Sequence, residues 1–418
     1  MNGKLGIMRY TKQNDPLDIE AYRKSGGWNG LKAALNITPA EVIGTVKDSG
    51  LRGRGGAGFP TGIKWESLAK DTPRYLVCNA DEGEPGTFKD RFIMEKSPYL
   101  LLEGMIIAAY AAGIEKGYIY IRGEYPKVTE KIQKALESVK KVGYLGNNIG
   151  GKDFNFEIEI KIGGGSYVVG DETALLNSLM GHRGYPMLKP PYPTQQGLWG
   201  KPTIINNVET LSYVPIILTE GALEFKKIGP AASPGPKLFC VSGHVQNPGV
   251  YEYPMGTKLR EILEAAGGMK GSYKAVQIGG TAGVIVDARA LDYSLDYESM
   301  KKADGSLGSG ALVFMNSATG MTHVLEVVAR FFSEESCGQC FPCRYGTRQL
   351  ELMAENIASG SGKLEYLPLI KDTIKTMYGG SFCPFGQSVA LPVSSLLKHF
   401  GDEIESSIKQ HQYLREVI

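Results

Sequence analysis

The chain has 418 residues, 42% of them hydrophobic and 22% charged, which is enough for two or three domains, each with its own core. Lys and Arg number 46 against 44 Asp and Glu, with no basic stripe, and this excludes the electrostatic footprint of a nucleic-acid binder. No apolar signal segment opens Met1–Asp15, and the most apolar stretch, Pro98–Ala112, is short and carries Glu103, so a core helix is expected there and no membrane insertion.

Residues 1–36 are mixed and polar and show no pattern. Thr38-Pro39-Ala40-Glu41 is a capping box with proline at the first helical position, which predicts a helix to about Ser49. Gly50 ends it and a glycine-rich loop, Gly53 to Gly62, follows. Tyr75–Cys78 reads as a short strand running into the acidic loop Asn79 to Glu84. After the apolar helix come a strand at Tyr118–Arg122 and an amphipathic helix at Glu130–Lys141. Phe156–Ile162 alternates, with Phe156, Ile158, Ile160 and Ile162 on one face. It empties into a second glycine loop, Gly163 to Gly170, and a helix is expected from Asp171 to Leu179. Strands alternating with helices to about residue 220 predict an α/β layer domain. The proline-rich segment Pro186–Pro202, with Trp199, is expected to lie extended over that domain, and Gly229–Pro236 to be a linker. Strands at Leu238–Val241, Val250–Tyr253 and Ala311–Met315, with a helix at Lys258–Ala266, suggest a small α+β unit. Apolar periodicity from Val324, then helices at Arg348–Ile357, Leu367–Met377 and Val389–Phe400, predict a four-helix bundle.

The strongest chemical signal lies between those last helices, in Cys337-Gly-Gln-Cys340-Phe-Pro-Cys343 and the later Cys383-Pro384. Three thiolates at this spacing reach three irons of a cubane, and a remote cysteine followed by proline closes the site. Four-cysteine zinc sites usually pair two separated C-x-x-C knuckles, and disulfides would have only Cys78 and Cys240 left to use. The reading is a [4Fe-4S] cluster in a reducing, cytoplasmic setting.

Gly53-Arg54-Gly55-Gly56-Ala57-Gly58 matches G-x-G-x-x-G, but a helix precedes it and Phe59 to Gly62 prolongs it, so it is not the dinucleotide fingerprint. Its glycines still let backbone N–H groups approach a phosphate or a flat ring, with Arg54 and Lys64 alongside and Phe59 able to stack. The second loop sits between a strand and a helix start, which favours anions, although Asp171 and Glu172 there can simply complement the helix dipole. The acidic loop follows a strand's carboxyl end, where ligands of open α/β sheets sit, and its acceptors suit ribityl or ribose hydroxyls.

Together, Gly53–Gly62, Cys78–Glu82, Glu84–Arg91, Ile121–Tyr125, Gly197–Thr203, Ile205–Thr210 and Glu335–Cys340 closely resemble the flavin-bearing, NADH-oxidising subunit of respiratory complex I. Homologues of that subunit occur in soluble hydrogenases and NAD-linked formate dehydrogenases. The resemblance runs from about Leu51 to His399. It implies a Rossmann-like FMN- and NADH-binding domain (1–232), a ubiquitin-like β-grasp domain (233–320) and a four-helix bundle (321–418) whose [4Fe-4S] cluster is held by Cys337, Cys340, Cys343 and Cys383.

By the same resemblance FMN would lie against Gly53, Arg54, Gly55, Gly56 and Lys64. Asn79, Asp81 and Glu82 would hold it, Tyr167, Gly170 and Asp171 would contact it, and Asn206 and Asn207 would close the pocket. Glu84 and Glu172 would face the nicotinamide, Phe59 and Tyr192 the adenine, and Lys189 the nucleotide backbone. Hydride would pass between NADH or NADPH and FMN, and electrons singly to the cluster. The implied partners are a thioredoxin-like [2Fe-2S] subunit and a larger iron–sulfur or catalytic subunit, with any membrane association made through that complex. A diaphorase subunit of a soluble, electron-bifurcating hydrogenase or formate dehydrogenase is the alternative, and a non-redox protein with a structural cluster is the alternative of another class. Val169 and Asp171 stand where many relatives carry cysteine and glutamate, and Ser67 where several carry an adenine-stacking side chain.

Overall fold

Thr38 closes its box as the spacing predicts. Its hydroxyl accepts the Glu41 N–H and the Glu41 carboxylate accepts the Thr38 N–H, at the head of the helix Pro39–Asp48. The computed structural model describes residues 6–417, without the side chains of 415–417, so the first part of the N-terminal segment read for a signal lies outside the described residues.

Four strands form the first sheet: β1 (Tyr75–Ala80), β2 (Lys116–Arg122), β3 (Glu157–Gly163) and β4 (Thr203–Asn207). All pair in parallel, in the order β3-β2-β1-β4. Successive side chains leave opposite faces. Leu76, Cys78, Ile119 and Ile204 join one core with the helices Pro98–Ala112 and Val208–Glu220. Val77, Tyr118, Tyr120 and Ile205 join a smaller core under the helix Glu172–Leu179. The chain steps outward from β1 to β2 to β3, then returns to place β4 on the other side of β1. The carboxyl ends of β1 and β4 therefore flank a topological switch point, where sheets of this kind bind ligands.

On the edge strand the expected apolar face fades. Phe156 is buried, Ile158 and Ile160 are half-buried and Ile162, at the strand's carboxyl end, is 64% exposed. From residue 6 on, the patternless N-terminal stretch turns out to be ordered. Glu103, fully buried in the apolar helix, accepts the Tyr22 hydroxyl at 2.5 Å and the N–H groups of Trp28 and Leu31 at 2.8 and 2.9 Å. This fixes the start of the helix Asn29–Leu35 onto the core.

The second sheet comprises β5 (Pro236–Gly243), β6 (Gly249–Pro254), β7 (Tyr273–Ile278), β8 (Val284–Val286) and β9 (Ala311–Asn316), in the order β6-β5-β9-β7-β8. Only β5 and β9 pair in parallel. The short strands β7 and β8, enclosed by glycines, had no sequence signal of their own. The expected linker is mostly exposed over Gly229–Ala232 and buried from Ser233 on, where the Pro234 carbonyl accepts from Arg54.

The C-terminal region is helical: Met321–Glu334, Phe341–Ala358, Tyr366–Gly380, the short Pro384–Ser388, and Ala390–Val417, which breaks at Phe400. The second of these starts seven residues earlier than the apolar pattern suggests. Pro342 opens it and Cys343 lies in its first turn. Among the described residues no helix is long and apolar enough to cross a membrane.

Candidate functional site

The β1–β4 register sets Asn79 beside Asn207. Asn79 donates to the Gly170 carbonyl at 3.0 Å and accepts the Asp81 N–H at 3.1 Å, tying the acidic loop to the second glycine loop. Asp81 Oδ2 is buried with no partner, and burial, only partly opposed by Arg122, pushes the carboxyl up to about 7. Glu82 is engaged elsewhere. Its two oxygens accept the N–H groups of Asp90 and Arg91 at 2.8 and 3.0 Å, capping the helix Lys89–Lys96. Glu84 accepts the Tyr167 hydroxyl at 2.5 Å and the Ala282 N–H at 3.1 Å, and so bridges the first sheet's loop to the middle unit.

In the first glycine loop the Arg54 side chain also turns inward. It is fully buried, its guanidinium donates to the Pro234 carbonyl at 2.8 Å and its N–H is held by Thr210, so its charge is not offered beside the loop as expected. Gly55 is exposed, and a Cβ there would stand 3.1 Å from the Asn207 Cβ; the loop lies that tightly on the end of β4. Lys64 does face the site, reaching the Ile205 carbonyl at 3.1 Å and Glu172 at 3.4 Å, while Lys189 meets the other Glu172 oxygen at 2.7 Å. Desolvation alone would raise the Glu172 carboxyl, but the two lysines outweigh it and hold it below the usual range. Phe59 and Tyr192 present half their surface to solvent, free to stack.

Asn206 and Asn207 serve mainly to build the floor. Asn206 accepts the Trp65 indole N–H at 2.8 Å, and Asn207 caps the helix Val208–Glu220 while donating to Asp90 at 2.6 Å. Asp171 likewise caps the helix Glu172–Leu179 through the N–H groups of Thr173 and Ala174. Gly170 lies at the end of the turn Tyr167–Gly170.

That turn adjoins the cysteines. The Tyr167 N–H donates to Glu335 at 2.8 Å, its ring packs on Phe331 and Phe385, and a cavity of about 260 Å³ lined by Val168, Val169, Arg183 and Cys337 separates the turn from the cysteine loop. Cys337, Cys340, Cys343 and Cys383 are all free thiols. Cys340 Sγ accepts the Phe382 N–H, Cys343 Sγ contacts the Ser336 hydroxyl, and Cys383 Sγ faces the N–H groups of Phe385 and Gly386. Burial, with the other three thiols nearby, pushes the Cys343 thiol up to about 12, so a cation is needed to hold it as a thiolate. Among the described residues no three metal-type donors stand close enough to share one ion, whereas a cubane takes each thiolate on a different iron.

The motifs Glu84–Arg91 and Ile205–Thr210 contain Lys89, Asp90 and Glu209, but nothing in them marks these residues as a buried charge group with Lys237 beneath the first loop; Glu209 and the two lysines are wholly inaccessible. They come from two helices and a strand far apart in the sequence, and a buried charge has no periodicity by which to find it.

Residues 46–216 match the Nuo51 FMN-binding domain, residues 238–282 the SLBB domain, and residues 323–407 the NADH-ubiquinone oxidoreductase-F iron-sulfur binding region. An NADH-quinone oxidoreductase subunit of Rhizobium meliloti is 44% identical over 400 residues, covering 94% of this chain and 95% of that protein. The chain belongs to the family of flavin-bearing, NADH-oxidising subunits of complex I. Another relative in this complex I family, the NADP-reducing hydrogenase subunit HndC of Solidesulfovibrio fructosivorans, is 43% identical over 94% of this chain and 81% of its own length. An NAD+-reducing [NiFe]-hydrogenase, solved in the H2-reduced state, superposes over 94% of this chain with a TM-score of 0.86 at 37% identity; the chain spans 66% of that hydrogenase chain.

As in the matched family regions, the cofactors are FMN and a [4Fe-4S] cluster. The residues suit both groups. The orphaned Asp81 oxygen can accept a ribityl hydroxyl, the exposed Gly55 backbone offers an N–H with no Cβ in the way, and four thiols backed by N–H groups suit iron.

Proposed function

We propose that this chain oxidises NAD(P)H, or reversibly reduces NAD(P), as the flavoprotein subunit of a larger redox assembly. FMN supplies the exchange between two-electron hydride chemistry and one-electron traffic to the cluster. The protein's part is to orient, and the observation that carries this reading is the turn Tyr167–Gly170, which adjoins the Asn79–Asp81 loop on one side and Cys337 on the other.

In this reading Asp81, Asn79 and the backbones of Gly53, Gly55, Gly56 and Gly170 hold the flavin, with Lys64 beside them. Glu172, between Lys64 and Lys189, sets the charge of the dinucleotide site, and Phe59 and Tyr192 stack on its adenine. Glu84 orients Tyr167 at the nicotinamide side. Cys337, Cys340, Cys343 and Cys383 ligate the cluster. The units are residues 1–232, a ubiquitin-like β-grasp over 233–320, which the strand order β6-β5-β9-β7-β8 supports, and a four-helix bundle over 321–418. The partners would be a thioredoxin-like [2Fe-2S] subunit and a larger iron–sulfur or catalytic subunit, in the cytoplasm.

The reconstituted chain should show flavin absorbance that NADH bleaches, with a reduced-cluster EPR signal following. Protein that binds no flavin, or whose iron never responds to dinucleotide, would remove the proposal. The HndC and hydrogenase likenesses favour a second reading, a diaphorase subunit of a soluble hydrogenase. Subunits co-purified with the native chain decide between them.

A further inference from the structure

The first glycine loop rests on the middle unit. The Tyr297 hydroxyl donates to the Gly53 carbonyl at 2.6 Å, and Lys237, on the first strand of the second sheet, places its ammonium 3.3 Å from the Arg54 carbonyl. Lys237 is wholly buried, and its stem passes so close to Gly310 that a Cβ there would lie 2.6 Å from Cε. Its remaining partner is Glu209 at 3.1 Å, which also takes the Lys89 ammonium at 3.1 Å and the Leu238 N–H at 2.8 Å.

A buried ion pair alone would explain Glu209, because Lys89 already neutralises it and Asp90 joins the same group. It does not explain a second buried lysine, with Arg54 also nearby. Desolvation, reinforced by Lys89 and Arg54, pulls the Lys237 ammonium down to about 8 despite Glu209, so this cation is held at a cost. What distinguishes Lys237 from Lys89 is its contact with the loop carbonyl.

In a trans peptide the carbonyl and the next N–H point in opposite directions. With the Arg54 carbonyl drawn down to Lys237, the Gly55 N–H points up into the exposed side of the loop, where it has no partner among the described residues. We propose that Lys237 is a positioning residue for the flavin: supplied by the middle unit, it fixes the Arg54–Gly55 peptide so that the Gly55 N–H is aimed at bound FMN. The donor is then pre-oriented, and it favours the reduced, more electron-rich flavin.

This rests on the first loop's being the flavin site, and the test separates the two claims. Full-length wild type and Lys237→Met are loaded with iron–sulfur cluster. FMN affinity is then measured by fluorescence quenching, and the potential of bound flavin by spectroelectrochemistry. The expected result is an FMN Kd raised about tenfold in the variant, the order of one charge-assisted hydrogen bond, and a lowered flavin potential. A merely structural lysine would lower the melting temperature and leave the potential unmoved, and that outcome overturns the proposal. Wild type that binds no FMN overturns the flavin-site reading instead. If Lys237→Met does not fold, Lys237→Met with Glu209→Gln removes both charges together and is judged by the same two readouts.

Discussion

The backbone N–H of Tyr167 lies 2.8 Å from Oε2 of Glu335, two residues before Cys337. One hydrogen bond thus joins the loop at the ligand crevice to the loop that carries the cluster. Glu335→Ala leaves that part-buried N–H unpaired and should cost about 1–3 kcal/mol, visible as a melting temperature lowered by several degrees. FMN content should stay near wild type while flavin-to-cluster transfer, followed by stopped-flow absorbance, slows several-fold. Unchanged transfer in a destabilised protein would show that the bond is only architectural.

Asp81 predicts a pH dependence. In the flavin-free chain its carboxyl is raised from 3.8 to about 7, mainly by burial. The unfolded chain therefore loses this proton at lower pH than the folded one, and the fold weakens as pH rises from about 4 to about 7 and levels off above that. A ribityl hydroxyl donating to the carboxylate favours its charged form, so FMN binding should release a proton and tighten between pH 6 and 8, by up to about tenfold per unit below 7. Asp81→Asn should flatten that dependence. The FMN phosphate titrates near 6 in both proteins, so the difference between their two curves is the measurement.

Glu172 neutralises Lys64 and Lys189 at once. Its depressed pKa gives a stability contribution that is present above the ordinary glutamate range and lost as pH falls below it. Glu172→Gln frees two cations beside the dinucleotide site. KM for the anionic dinucleotide should fall several-fold at low salt, and the gain should vanish at about 1 M salt, where the screening length is roughly 3 Å. Equal KM and kcat for both proteins at every salt concentration would remove Glu172 from the site.

Cys383 lies outside the C-x-x-C-x-x-C run and, in the proposed reading, is the cluster's fourth ligand. Cys383→Ala should abolish the cubane's visible absorbance and EPR signal while leaving FMN bound and bleached by NADH, because the flavin residues lie in other elements. Activity with a two-electron acceptor should survive, and transfer to one-electron iron–sulfur partners should not.

Local signals were legible where the physics is local. The Thr38–Glu41 box, the cysteine spacing and the acidic loop at the end of β1 each depend on residues a few positions apart. The register that sets Asn79 beside Asn207 depends on a sheet order that no single segment encodes. The inward turn of Arg54 and the capping role of Glu82 were hidden for another reason: a charged residue beside glycines reads as a ligand contact until its buried partners, Pro234 and the Asp90 and Arg91 amides, are seen. Glu103 was read only as a mark against a membrane span. Its partners stand 72 to 81 residues away, in the stretch that had no pattern at all.

Cys340 Sγ accepts the Phe382 N–H, and Cys383 follows Phe382 in the chain. Packing of the helices Phe341–Ala358 and Tyr366–Gly380 thus brings two distant thiol segments together. A cluster bound by all four thiols would cross-link the two ends of the hairpin those helices form, so its removal should loosen that hairpin first.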